Sequence, residues 1–505
     1  MPAPNPKRWW ALVFIALAQF MIIMDTSIIG VALPKIQLDL GFTQSSLSWV
    51  FNAYVIAFGG LLLLGGRSSD LFGARKVFTA GWAILLAGSV IAALASSVGV
   101  ELGGRAVQGV GAALIAPSAL TLLMMLFSHD PKGLTKAIAL YGAAAPAGGT
   151  AGVFLGGVIT QWLSWPWIFW LYVPIALIAL VAIPKLMPAS QATRGSVDIA
   201  GAISVTGGLA LAVFAIVRAP QQGWGSAATT GVLAAAVALL VAFVVIQSAR
   251  KARLVRLAIF RTPNLAGANL AQLLLGAAWI PMWYFLNLYL QQVLHYNAFA
   301  GGAALLPMTV AIMVLMVVVA PRVIARLGFK PPIIAGLTIL AGGLVWLSFA
   351  RANGNFLVDV LPASLLAAIG MALAFIPSLG TAISSARPEE GGLASGIVNT
   401  SYQVGSAIGL AAMTALAVSQ GAGRLGHPSA LTNGFSAAFL GAAGIALAGA
   451  LLALITLRQP RSAPTEPAPV EPAETQPPRS EPPKSRSASP RSAAPDNASG
   501  AGRTR

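Results

Sequence analysis

Fourteen apolar stretches of about twenty residues follow one another along the chain, and the first of them, Ala11 to Leu33, carries an aspartate, Asp25, in its middle. Each stretch is long enough to cross a hydrocarbon layer as a helix at about 1.5 Å per residue. A carboxylate at that depth has to face protein or a water-filled cavity, because hydrocarbon offers nothing to offset its desolvation. The rest of the composition agrees: 57% of the 505 residues are hydrophobic and 9% are charged, against about 25% charged in soluble domains. Such a chain cannot cover itself with a polar surface, so lipid is the expected solvent and the fold class is an all-α integral membrane protein.

The spans are expected near 10–33, 47–65, 77–96, 102–126, 137–161, 167–187, 200–218, 228–248, 267–290, 300–320, 332–350, 357–380, 394–418 and 436–457. Their Gly and Pro content is compatible with helices inside a bundle, where freed backbone groups find partners. A net charge of +17 would suit nucleic acid, but its distribution points elsewhere. Of the 31 lysines and arginines, 18 fall on the side of the N-terminus, including Lys7, Arg8, Arg67, Arg75, Lys76, Arg322 and Lys330, and only Lys35, Arg218, Arg351 and Arg424 fall in the opposite connections. That asymmetry is the positive-inside pattern and places both termini in the cytoplasm of a bacterial plasma membrane. The first apolar run is too long for a signal-peptide core and is expected to stay. With no cysteine and three scattered histidines, no thiolate or histidine metal site is expected, and no cofactor.

The longest cytoplasmic connections, Pro188 to Ile199 and Ala249 to Ala266, divide the chain as 6 + 2 + 6: a six-helix bundle over 1–187, a linker and inserted two-helix hairpin over 188–266, and a second bundle over 267–457. The hairpin reads as a spacer. The tail over 458–505, rich in Pro, Ser, Glu and Arg, lacks the apolar surface to offset its chain entropy and is expected to be disordered. The two bundles echo each other weakly. Gly65 to Lys76 and Pro321 to Lys330 are short basic turns at corresponding places, as in transporters built from repeated halves.

Asp25 reads in two ways. Burial penalises the charged form of an acid, so a carboxylate in a cavity can load and release a proton in exchange for a cationic solute; alternatively it caps the Thr26 and Ser27 region or pairs with a distant base. Arg105 stands four residues after Glu101 and three before Gln108. It can form an i,i+4 pair with Glu101 or act in proton transfer and gating beside a carboxylate. Gly148, Gly152 and Gly156 present small residues every four positions, with Pro146 upstream. This is a surface for close helix packing that Pro146 can kink. The loop Gly65 to Lys76 holds Gly66, Arg67, Asp70, Gly73 and Arg75; Asp70 is expected to cap a short cytoplasmic helix or to hold arginines across a gate. No Lys-Ser or Lys-Thr pair follows its glycines, so ATP-binding machinery is not visible and an ionic energy source is expected. Tyr54, Trp49, Gln108, Trp279, Trp283, Tyr284, Phe285, Tyr289, Asn399, Tyr402 and Gln403 are candidates for a substrate-cavity wall.

Together these segments resemble the 14-helix drug:proton antiporters of the major facilitator superfamily. Met24 to Pro34 is similar to that group's first-helix motif, Gly66 to Lys76 to its cytoplasmic loop motif, and Gly104 to Ala112 to its fourth-helix motif; Leu163 to Phe169 and Gly392 to Thr400 are similar to further landmarks. The resemblance implies a two-bundle fold with alternating access, a proton role at Asp25, a proton-relay or structural role at Arg105, and gate control by Asp70. Three departures stand out: Gly152-Val153 replaces the usual Gly-Pro of the fifth helix, Pro166 stands where Arg is common, and Tyr172 where Asn is common. The expected function is proton-coupled export of hydrophobic or cationic drugs by a monomer, with small molecules, protons and membrane lipid as partners and no nucleic acid. Export of one endogenous metabolite or antibiotic is the rival. A membrane-embedded enzyme would need paired carboxylates or a metal group near the interface, and none is visible.

Overall fold

A computed structural model describes residues 7–127, 130–188, 198–249, 259, 262–386 and 391–458. The expected tail, Arg194 and much of the two long connections lie outside the described residues. Among the described residues, fourteen helices are long and apolar enough to cross a membrane. They are α1 (Arg8–Leu40), α2 (Trp49–Phe72), α3 (Ala74–Ala93), α4 (Val98–Phe127), α5 (Pro131–Trp162), α6 (Trp167–Leu186), α7 (Ile199–Gln222), α8 (Ala227–Ala249), α9 (Leu265–Val293), α10 (Ala298–Leu327), α11 (Lys330–Leu347), α12 (Phe356–Ser385), α13 (Ala394–Ala422) and α14 (Pro428–Thr456).

Polar bonds between helix ends fix the alternation. At the end where α1 begins, Arg8 pairs with Asp130 at the start of α5 at 2.8 Å, and Asn264 before α9 bonds the backbone of Arg458 after α14 at 2.9 Å. We call this the basic end. At the far end, Trp165 before α6 donates to Asp39 in the last turn of α1 at 2.8 Å, and Gln221 in the last turn of α7 donates to Ser45 at 2.7 Å.

The packing pattern repeats with an offset of eight helices. α1 lies on α5 as α9 lies on α13, α2 and α3 on α4 as α10 and α11 on α12, and α3 on α6 as α11 on α14. Between the first six and the last six, α5 meets α10 and α2 meets α13, contacts that exchange into each other under the same offset. The echo of the two basic turns becomes explicit here. Each is a one- or two-residue link through a glycine of positive φ, Gly73 (φ 90°) and Gly328 (φ 74°). The base that follows caps a carbonyl at the end of its sixth helix: Arg75 on Met187 at 3.2 Å, Lys330 on Leu454 at 2.8 Å. Cations there also complement the negative end of the helix dipole. α7 lies along α2 and α13, while α8 packs on α7 and leaves Val237, Val241, Val244 and Val245 exposed, a stripe suited to hydrocarbon.

Two expectations change. α1 continues through Pro34 to Leu40 instead of ending near Leu33. The stretch from Gly65 is helical up to Phe72, so Asp70 sits in the last turn of α2; the start of α3 is Gly73, with no side-chain cap. Asp70 therefore lies within α2 and is not the N-cap of α3.

Candidate functional site

Asp25 lies near the middle of the 33-residue α1, 2% exposed. It reaches α4, where Arg105 Nη1 stands 2.8 Å from Oδ1 and 2.7 Å from Oδ2. Arg105 is fully buried and ties several helices together. Its Nε donates to the Val50 carbonyl of α2 at 3.1 Å, and Nη1 donates to Gln108 Oε1 at 2.8 Å. Gln108 passes the chain on to Ser89 of α3 at 2.9 Å, and Ser89 closes it on the Leu85 carbonyl. The guanidinium carbon lies 4.7 Å from the Tyr54 ring centre and 5.9 Å from that of Phe169, a cation–π setting strengthened by burial of the guanidinium. Tyr172 of α6 donates to the Met21 carbonyl, one turn before Asp25, at 3.3 Å. Opposite charges with hydrogen bonds on both sides are what lets a membrane interior hold an ion pair.

The i,i+4 pair of Glu101 with Arg105 does not form; Arg105 turns to Asp25 instead. Glu101 is fully buried one turn earlier in α4, and among the described residues neither of its oxygens has a hydrogen-bond partner; Arg105 Nη2 is likewise without one. The structure thus brings Asp25, Arg105, Gln108 and Tyr54 into one cluster with Glu101 a turn away. Tyr54 and Gln108, expected on a cavity wall, are bound into the charged cluster.

The small-residue face of α5 carries α1 against it. A Cβ on Gly148 would strike the Phe20 carbonyl, one on Gly152 would lie 2.7 Å from Ser27 Cβ, and one on Gly156 3.0 Å from the Ile28 carbonyl. The stripe therefore positions the α1 segment that holds Asp25. Pro146 lies inside a continuous α5. Tyr284 is fully buried with its ring 6.0 Å from that of Phe51, across from α2, and its hydroxyl has no hydrogen-bond partner among the described residues. Asn399 donates to its own helix at Ser395, and Gln403 presses its Cβ on Gly59 of α2. Tyr284 and Gln403 thus face α2 from α9 and α13, while Asn399 lies one turn before Gln403 on α13. Gly66, Arg67 and Asp70 lie at the basic end of α2, and Gly73 and Arg75 at the turn already described. Sequence reasoning missed Ser89, and it marked Tyr172 only as a departure from the family pattern, not as a neighbour of the charged cluster. Both are small polar signals within apolar spans, and only their three-dimensional neighbours single them out.

Fourteen alternating helices with a repeated packing pattern and an ion pair buried in the first repeat define a multi-pass membrane transporter. The chain belongs to the Major Facilitator Superfamily, whose family model matches residues 15–410. It is 37% identical to a cephamycin export protein of Amycolatopsis lactamdurans, over 90% of this chain and 93% of that protein. It is 34% identical to a puromycin resistance protein of Streptomyces alboniger, over 92% of this chain and 94% of that protein. A nucleoside transporter crystal structure shares the fold at a TM-score of 0.62 with 14% identity, covering 90% of this chain and 100% of that one.

Proposed function

We propose that the protein is a proton-coupled antiporter that exports hydrophobic or cationic drugs across the bacterial plasma membrane, with both termini cytoplasmic. The observation that carries this reading is the buried Asp25–Arg105 pair, the one arrangement in α1 through which a proton can change the charge of the membrane interior. When Asp25 is ionised, Arg105 bridges its two oxygens; when it is protonated, the guanidinium loses its counter-charge and is freed to seek another. Glu101, buried a turn away, is the second carboxylate within the cluster and the next station for the same proton. Export is supported by the relatives named for antibiotic export and resistance. The basic asymmetry of the loops supports the orientation, and the eight-helix repeat supports a 6 + 2 + 6 division at 1–187, 188–266 and 267–457. Gly66, Arg67, Asp70, Gly73 and Arg75 belong to the cytoplasmic gate, and Tyr284, Asn399 and Gln403 to the cavity wall between the bundles. The chain acts as a monomer in lipid.

The test is reconstitution in vesicles with an imposed pH gradient. Wild-type protein should drive gradient-dependent efflux of a cationic dye or an antibiotic, and Asp25→Asn should lose it; undiminished gradient-driven efflux in that variant rejects the reading. A dedicated antibiotic exporter is the second reading, favoured because several relatives are each named for a single antibiotic. Deletion in a sensitised host separates the two: lost resistance to unrelated compounds supports multidrug export, and lost resistance to one compound supports the dedicated role.

A further inference from the structure

At the far end three glutamine side chains from both sides of the seam form a closed ring. Gln37 Nε2 in the last turns of α1 donates to Gln44 Oε1 at 3.0 Å, Gln44 Nε2 in the α1–α2 connection donates to Gln292 Oε1 at 3.3 Å, and Gln292 Nε2 at the end of α9 donates back to Gln37 Oε1 at 2.7 Å. Each amide gives one hydrogen bond and accepts one, and each bond polarises the next in the same direction. Gln37 and Gln44 are 4% exposed, so water does not compete freely.

The backbone around the ring is built to present these amides and to let them part. The last turn of α9, Tyr289–Val293, is a π-helical turn, a feature that re-aims side chains at functional positions. It directs two consecutive glutamines at α1: Gln292 into the ring, and Gln291 onto the Val31 carbonyl at 2.9 Å. In α1, Pro34 lies between Asp25 and Gln37. Proline donates no hydrogen bond, so the Gly30 carbonyl one turn earlier lacks its helical partner and the turn carrying Gln37 is joined more softly. Gly30 is also where Trp283 and Asn287 of α9 approach; a Cβ there would lie 3.0 Å from Trp283 Nε1 and 3.2 Å from Asn287 Nδ2. A second bond, from Gln221 of α7 to Ser45, holds the same α1–α2 connection.

We propose that the Gln37–Gln44–Gln292 ring is the latch that holds the far end shut between the two six-helix groups, and that it must open for solute to leave on that side. This deepens the transport reading and rests on it. The latch contains no charged group. Its strength is therefore indifferent to pH and ionic strength, which leaves the timing of its opening to the charged cluster lower on α1.

The chain has no native cysteine, so single thiols report cleanly. Asn287, 1% exposed and about one turn below the ring, is replaced by Cys and exposed to a membrane-impermeant maleimide from the far side in the ring-intact protein. The same is done with Gln37→Ala, Gln292→Ala or Gln292→Glu; the last variant keeps size and an acceptor and, as a carboxylate, does not donate to Gln37. Labelling should rise by about fivefold for Gln292→Glu, which loses one ring bond, and by more for the two alanine variants, each of which loses two; about fivefold is the population shift that follows losing about one net hydrogen bond between neutral groups. A parallel Leu63→Cys, at the basic-end seam against Gly396, should not label faster from the other side. Unchanged Asn287→Cys labelling overturns the latch, and faster labelling at both positions assigns the ring to general stability and overturns it as well. Neither readout uses substrate or a proton gradient, so the latch can fail while proton coupling at Asp25 stands, and the reverse.

Discussion

At the scale of single residues, the central fact is that Arg105 Nη1 serves Asp25 and Gln108 together while Nε serves Val50. Lysine has one nitrogen on a flexible stem and cannot reproduce that geometry. Arg105→Lys should therefore insert normally but lower gradient-driven efflux by at least about tenfold, the cost of roughly one charge-assisted hydrogen bond; a normal rate in vesicles would show that charge alone suffices. Asp25→Asn keeps an acceptor but leaves the buried guanidinium without its counter-charge, a loss of roughly 3–5 kcal/mol when one partner of a buried pair is removed. A lowered melting temperature in detergent, together with flat pH dependence of residual transport, is the expected signature. Both members of this pair were legible in the sequence, because a charge in an apolar span has few innocent explanations. Their contact was not, because they are 80 positions apart. The glutamines of the far-end ring were invisible for the opposite reason: near the ends of apolar spans a neutral amide looks like any interfacial residue.

At the scale of elements, α5 and α1 depend on glycine for their separation. Gly152→Ala places a methyl group 2.7 Å from Ser27 Cβ and 2.8 Å from the Met24 carbonyl, so one helix must shift. Overpacking of this kind costs about 1–3 kcal/mol, and thermal unfolding in detergent should show it; Gly142→Ala, in open space on the same helix, is the control with no loss. Because Met24 and Ser27 flank Asp25, the shift should also slow transport. The small-residue stripe was readable as a packing face, since spacing of four maps onto one side of a helix. Which helix it meets was not readable. Helix existence was equally plain from hydropathy, whereas the α2–α3 connection was drawn too long. A polar, charged stretch resembles a loop in composition, yet Arg67, Ser68, Ser69 and Asp70 carry on the helix to its end at the basic surface.

At the scale of the whole molecule, orientation has a direct check. Lys76→Cys at the basic end and Arg424→Cys at the far end are both exposed; an impermeant maleimide added to intact cells should modify the second and spare the first. The reverse result would invert the topology. The two-fold repeat was faint in the sequence as a likeness of two basic turns. It became clear only through geometry, where Gly73 and Gly328 both take a positive φ and Arg75 and Lys330 cap equivalent helix ends. Few identical residues are needed to repeat an architecture whose constraint is backbone shape.

The chain of bonds from Asp25 through Arg105 and Gln108 to Ser89, with its branch to Val50, fastens one residue or backbone group in each of α1, α2, α3 and α4 to a common guanidinium. A structure riveted at its centre does not flex helix by helix. Whatever alters the rivet is felt by all four at once, so one change of charge at its centre would reach every helix it joins.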